Sequence, residues 1–193
     1  PTSPAVSTLD VASYLPTIVS RSISGKRQAR QVAGQYWMLK ATYPSMTRAD
    51  FAPIYGFLMK QRGSLETFTV QPPILDDPVG GISIGSPLVN GASQTGRTLN
   101  ADGFPASVTG ILKAGDYLTF ANHTKVYMIT ADVTSNGSGE AAITLEPALL
   151  TSPATDSAIT AVNVSFTVAQ IGDVQKFKIS SDNTFRYEID MEE

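Results

Sequence analysis

GDYLTFANHTKVYMITADVTSNGSGEAAITLEP, residues 115–147, holds the chain's one histidine, His123, with Asp116 seven residues before it. It reads either as a site for chemistry or as a run of strands with a histidine on a turn. The alternation favours strands. Leu118 and Phe120 alternate with polar neighbours, and Asn122, His123 and Thr124 fit a short turn. VYMITADV (126–133) is expected to be the partner strand, SNGSG (135–139) a second turn and AAITLEP (141–147) a third strand. On that turn His123 is expected to be solvent-exposed.

Composition agrees with a turn-rich β protein. The 193 residues suffice for one full domain or two small ones. Charged residues are 16%, low against roughly 25% in average domains, and there are 15 glycines and 12 prolines. With no cysteine, a disulfide framework and a thiolate metal site are both excluded. No apolar run approaches the roughly 18 residues of a membrane span. The opening PTSPAVSTLDVASYLPTIVS lacks the basic and apolar regions of a signal peptide. Synthesis in the cytoplasm is the corresponding expectation.

Working outward, GQYWMLKATYP (34–44) alternates with large side chains on both faces, as in a strand buried on two sides or set near a subunit contact. One helix is expected over about 47–62. Thr47 suits the N-cap, Asp50 can close a capping pair, and Met46 and Phe51 are spaced as a staple. Phe51, Ile54, Tyr55 and Leu58 share one face, Pro53 should loosen the first turn, and Gly63 suits the C′ position. SGKRQARQ (24–31) reads as a basic turn, and 61–73 as a returning strand. Between 82 and 110, frequent Gly, Asn and Ser turns leave strands of a few residues. VNVSFTVAQ (162–170), QKFKISS (175–181) and TFRYEIDMEE (184–193) read as closing strands, with a hairpin turn at Asp182–Asn183. The domain expectation is residues 1–73 plus 160–193, interrupted by a small β insertion at 74–159.

Candidate chemistry is sparse. His123 lacks a G-x-S-x-G partner motif, and acidic pairs such as Asp76–Asp77 lack calcium-loop spacing. There is no P-loop and no dinucleotide fingerprint. No catalytic, cofactor-binding or metal residue is assigned, and no cofactor. Arg21, Lys26, Arg27 and Arg30 could contact phosphates, yet no aromatic residues interleave with them for base stacking. Sequons at Asn122, Asn136 and Asn163 read as chance. Charge is unevenly spread: residues 1–62 carry eight Lys/Arg and two Asp/Glu, a net of +6, whereas 63–193 carry six and fifteen, a net of −9. Such a chain can align head to tail with its copies or simply be well solvated.

The middle region, residues 85–150, resembles a segment of tailed-bacteriophage tail structural proteins. The marks are PLVNGA-x-QTG, L-x-x-GDY-x-x-F, TADVTS-x-GSG-x-A and a following E-P-x-L strand. The resemblance implies a mainly β fold: a tail-tube-like β-sandwich or barrel with one short flanking helix and a small inserted β domain. It implies a non-enzymatic virion protein of the distal-tail or baseplate-hub kind, a ring subunit joining the tail tube to distal components. The implied partners are copies of itself, as a hexamer or else a trimer, and other tail or baseplate proteins. The genome would pass through the ring without specific nucleic-acid binding, and no membrane is involved. A ring packs heterologously, which suits opposite-signed ends. The alternative function is a carbohydrate-binding or adhesin-like module, with Tyr117, Phe120 and Tyr127 as stacking candidates.

Overall fold

The computed structural model describes residues 5–193; the start of the N-terminal domain and of the signal-peptide reading, at residues 1–4, lies outside them. The chain divides into two compact units. Unit 1 runs up to Thr69 and resumes over Thr167–Glu193, and unit 2 is Val70–Phe166. The first elements are β1 (Thr8–Tyr14), β2 (Thr17–Arg21), β3 (Arg27–Gln31), β4 (Tyr36–Thr42), helix α1 (Arg48–Lys60) and β5 (Phe68–Val70). Then come β6 (Leu88–Val89), β7 (Gly96–Asp102), β8 (Thr109–Leu112), β9 (Tyr117–Phe120), β10 (Tyr127–Ile129), β11 (Val133–Thr134), β12 (Ala141–Leu149) and β13 (Ile159–Thr160). The last are β14 (Phe166–Gln170), β15 (Phe177–Ile179) and β16 (Phe185–Glu192). The fold is mainly β with one α-helix among the described residues, as expected.

In unit 1 the main sheet has the order β1-β4-β16-β14-β5, with β15 added beside β16. The period of two decides its faces. Trp37, Leu39 and Ala41 of β4 and Tyr187, Ile189 and Met191 of β16 are buried, and in register Ala41 faces Ile189 and Leu39 faces Met191. Helix α1 covers this face with Phe51, Ile54 and Leu58. Phe51 stacks on Phe185 at 4.8 Å between centroids and meets Tyr187 edge-on at 6.0 Å. The buried Gln170 amide donates to the Leu58 carbonyl at 3.0 Å. Thr47 caps the helix: its hydroxyl accepts from the Asp50 amide and donates to the Asp50 carboxylate at 2.7 Å. Pro53 lies inside a helix that runs unbroken from Arg48 to Lys60. The left-handed residue after the Gln61 cap is Arg62, φ 57°, followed by Gly63, φ 70°, so the reversal starts one residue before the expected glycine.

The opposite face of β4 is not buried. Tyr36, Met38, Lys40 and Thr42 are half-exposed, so the strand has one covered face rather than two. SGKRQARQ also differs from expectation. Residues 27–31 form β3, paired along its whole length with β2, and only 22–26 make the turn.

Unit 2 is a small barrel. Its six strands follow the order β13-β9-β10-β12-β7-β6. A bridge between Leu88 and Ala158 joins the last strand to the first. Amide bonds from Ile159 to Pro87 at 2.9 Å and from Val89 to Ser157 at 3.0 Å reinforce that closure. The interior is filled by alternate residues of every strand, including Leu99, Leu118, Phe120, Tyr127, Ile129, Ile143 and Leu145. VYMITADV is not one strand. It bends after Ile129, and Val133–Thr134 leaves to pair with β8. The cause is Asp132, whose carboxylate accepts from Lys113 Nζ at 2.9 Å and from the Ala114 amide at 3.1 Å.

Candidate interaction surfaces

His123 is half-buried rather than free in solvent. Its ring packs edge-on to Phe120 at 5.2 Å. Nε2 is shielded and has no hydrogen-bond partner among the described residues. Burial lowers its pKa, because the charged ring would lose hydration that nothing replaces. Asp116 does not hold it. That carboxylate is buried and accepts from the Val79 amide at 2.8 Å and the Lys113 amide at 2.7 Å. The aspartate of L-x-x-GDY is thus a staple that ties the turn at Val79, ahead of the barrel strands, to the turn before β9.

The remaining shared motifs are also turn chemistry. In PLVNGA-x-QTG, the Gln94 side chain donates to the carbonyls of Asn90 (2.9 Å), Gly91 (3.2 Å) and Asn100 (3.0 Å) and accepts from the Asn100 amide at 2.6 Å. In TADVTS-x-GSG, buried Ser135 donates to the Pro105 carbonyl and accepts from the Val108 amide at 2.9 Å. Asn136 accepts from the amides of Ser138 and Glu140 at 2.8 and 2.9 Å. Gly139, φ 77°, lies against the Phe104 carbonyl oxygen, where a Cβ would collide. Glu146 of E-P-x-L forms an ion pair with Arg97 at 2.7 Å.

The stacking candidates do not make a sugar platform. Phe120 and Tyr127 are 1% and 0% exposed and face each other at 5.6 Å. Tyr117 is half-buried against Phe166. Burial of these rings removes the flat exposed surface that a pyranose needs.

Two exposed surfaces in unit 1 are left. The first is the uncovered sheet face. Register places Asp10, Lys40 and Asp190 in one cross-strand row, with Ala12, Met38 and Glu192 in the next and Thr8, Thr42 and Glu188 on the other side. Asp10, Glu188 and Asp190 therefore flank Lys40, which pairs with Glu188 at 2.9 Å, and Glu192 lies in the next row. Its pKa is raised by the Glu188 hydrogen bond and charge, and further by Asp190 and Asp10. Beyond this patch Arg186 and Lys178 face each other across β16 and β15. FRYEIDMEE displays this face in its alternation.

The second surface is the β2–β3 ribbon, which carries Arg21, Lys26, Arg27 and Arg30. All ten of its strand residues are exposed. Among the described residues no three His, Asp or Glu side chains converge as a metal site.

Unit 2 is thus a β-barrel closed through the Leu88–Ala158 bridge, in which the polar side chains of the motifs above fix turns or pair strands. Residues 79–164 match the family described as the B domain of the distal tail protein pb9. The match supports a tailed-phage distal tail structural protein, with a structural role in the virion tail. No curated protein matches the chain.

Proposed function

We propose that the protein is a non-enzymatic ring subunit of a phage tail tip or baseplate, joining the tail tube to distal components. Unit 1 would be its tail-tube-like ring domain and the barrel an insertion into it, with the hexamer favoured and the trimer as the other symmetry. The observation that carries this reading is the uncovered face of the unit 1 sheet, where Asp10, Glu188, Asp190 and Glu192 gather near Lys40, with Arg186 and Lys178 at the β15 end. A sheet with one face under a helix and the other open, with its carboxylates gathered on β1 and β16, fits the wall of a channel for a polyanion where those carboxylates face it, since like charge keeps the genome from adhering. Partners would be identical copies and neighbouring tail proteins, engaged by shape and polarity.

A cryo-EM map of the virion tests this. The expected result is a ring with β4 and β16 lining the channel; an outward-facing or cationic sheet face there would refute it. In a functional test, the Glu188→Lys/Asp190→Lys double variant should assemble but release DNA more slowly than the parent phage. Unchanged release would count against the channel assignment.

A further inference from the structure

The β2–β3 ribbon is poorly explained as a free-standing element. A lone two-stranded hairpin is marginally stable in water, and this one has every strand residue exposed. Apolar side chains are also presented to solvent: Ile18 is 56% exposed, Val19 48%, Val32 51% and Ile23, at the tip, fully exposed. Arg21 lies directly opposite Arg27 in register, an arrangement that repels across the strands unless an anion screens it. Lys26 is adjacent, and the stretch 17–31 contains no Asp or Glu. Among the described residues no carboxylate forms an ion pair with any of its four cations. The tip is nevertheless shaped: the Gly25 amide donates to the Ser22 carbonyl at 2.8 Å, and the Ser22 amide to the Lys26 carbonyl at 3.0 Å.

We infer that this ribbon is a docking arm that lies on an acidic surface of a second copy of the chain. Charge complementarity selects that occupant. The arm contributes +4, whereas residues 63–193 of any other copy carry a net charge of −9. A single-stranded nucleic acid is a poorer fit, because the stretch 17–31 has no aromatic ring on which a base could stack. An anionic membrane is poorer too, because the tip offers one isoleucine and no aromatic anchor. Arm and acidic surface differ, so the contact either closes reciprocally in a two-fold pair or runs head to tail around a ring. The inference rests on the ring reading for the number of copies, though not for the contact itself.

The test uses the intact chain, mixed in equal parts from light and ¹⁵N-labelled preparations, with zero-length carbodiimide cross-linking and native mass measurement. The expected result is an amide link from Lys26 to a carboxylate within 63–193 of a differently labelled copy. The Arg21→Glu/Arg27→Glu double variant should lose that link and associate at least ten-fold more weakly, with Trp37 fluorescence showing a folded unit 1. Lys26 links confined to its own chain, a strictly monomeric parent protein, or a double variant that assembles like the parent would each overturn the arm. So would intact assembly combined with loss of binding only to a DNA duplex or to phosphatidylglycerol vesicles. A closed two-fold dimer held by Lys26 links keeps the arm and removes the ring. Links to Glu188, Asp190 or Glu192 keep the arm and remove the channel face.

Discussion

The two units solve the same problem in opposite ways. The barrel of unit 2 joins its first strand to its last through Leu88 and Ala158, so the ladder runs on around the ring. Its interior contains eighteen buried residues in one cluster. Unit 1 stops short of closure. Its sheet keeps edge strands at β1 and β5, leaves one face half-exposed and projects a ribbon with no covering of its own. Open edges and faces are liabilities in a free protein. In the proposed ring they are the places where neighbours would attach, whereas the barrel of unit 2 closes on itself.

The contrast can be broken most forcefully at the barrel centre. Leu118→Ala should destabilise unit 2 by about 2–5 kcal/mol, since Leu118 is fully buried and its loss leaves a cavity. Hydrogen exchange of β9, β10 and β12 amides would measure it, and a change below about 1 kcal/mol would mean the barrel is loosely packed. Asp116→Ala should cost about 2 kcal/mol by stripping the Val79 and Lys113 amides of their acceptor. Faster exchange at those two amides is its signature.

In unit 1, Thr47→Ala should cost about 1 kcal/mol through loss of the cap. The chain's single tryptophan, Trp37, lies on the covered face and reports this unit's unfolding. The smallest effect at neutral pH belongs to Tyr187. Burial, with Tyr55 and Tyr43 adding, pushes its pKa up to about 12 from an unfolded value of 10.0. Its contribution is complete below pH 10, because both states then keep the proton, and is lost as pH rises through about 12. Tyr187→Phe should flatten that alkaline decline in Trp37-detected stability.

Much of this was legible in the sequence where the signal was local. The helix followed from Thr47, Asp50 and an apolar face at helical spacing, all within a dozen residues. The Asp182–Asn183 hairpin was similarly local: Asn183 adopts φ 59° and Asp182 accepts from Thr184. Long-range pairing was not legible. Nothing in Leu88 or Ala158 announces a bridge across seventy residues. Asp132 reads as an exposed position in a strand until Lys113 and Ala114 are seen to pull it aside. His123 reads as solvent-facing because turns usually are, yet its ring and that of Phe120 meet in a T-shaped contact. The β3 residues read as a turn because four charges within ten residues mask a strand whose two faces are both wet.

The barrel has one more consequence, which lies at its ends. The Val164 amide donates to the Asp76 carbonyl at 3.0 Å, the Asn163 amide to the Asp77 carboxylate at 3.3 Å, and Gln71 donates to both Asp76 and Asn163. The two ends of unit 2 are therefore held in one small clasp. Because all these bonds lie within residues 70–166, unit 2 carries the fastening of both its ends in its own sequence.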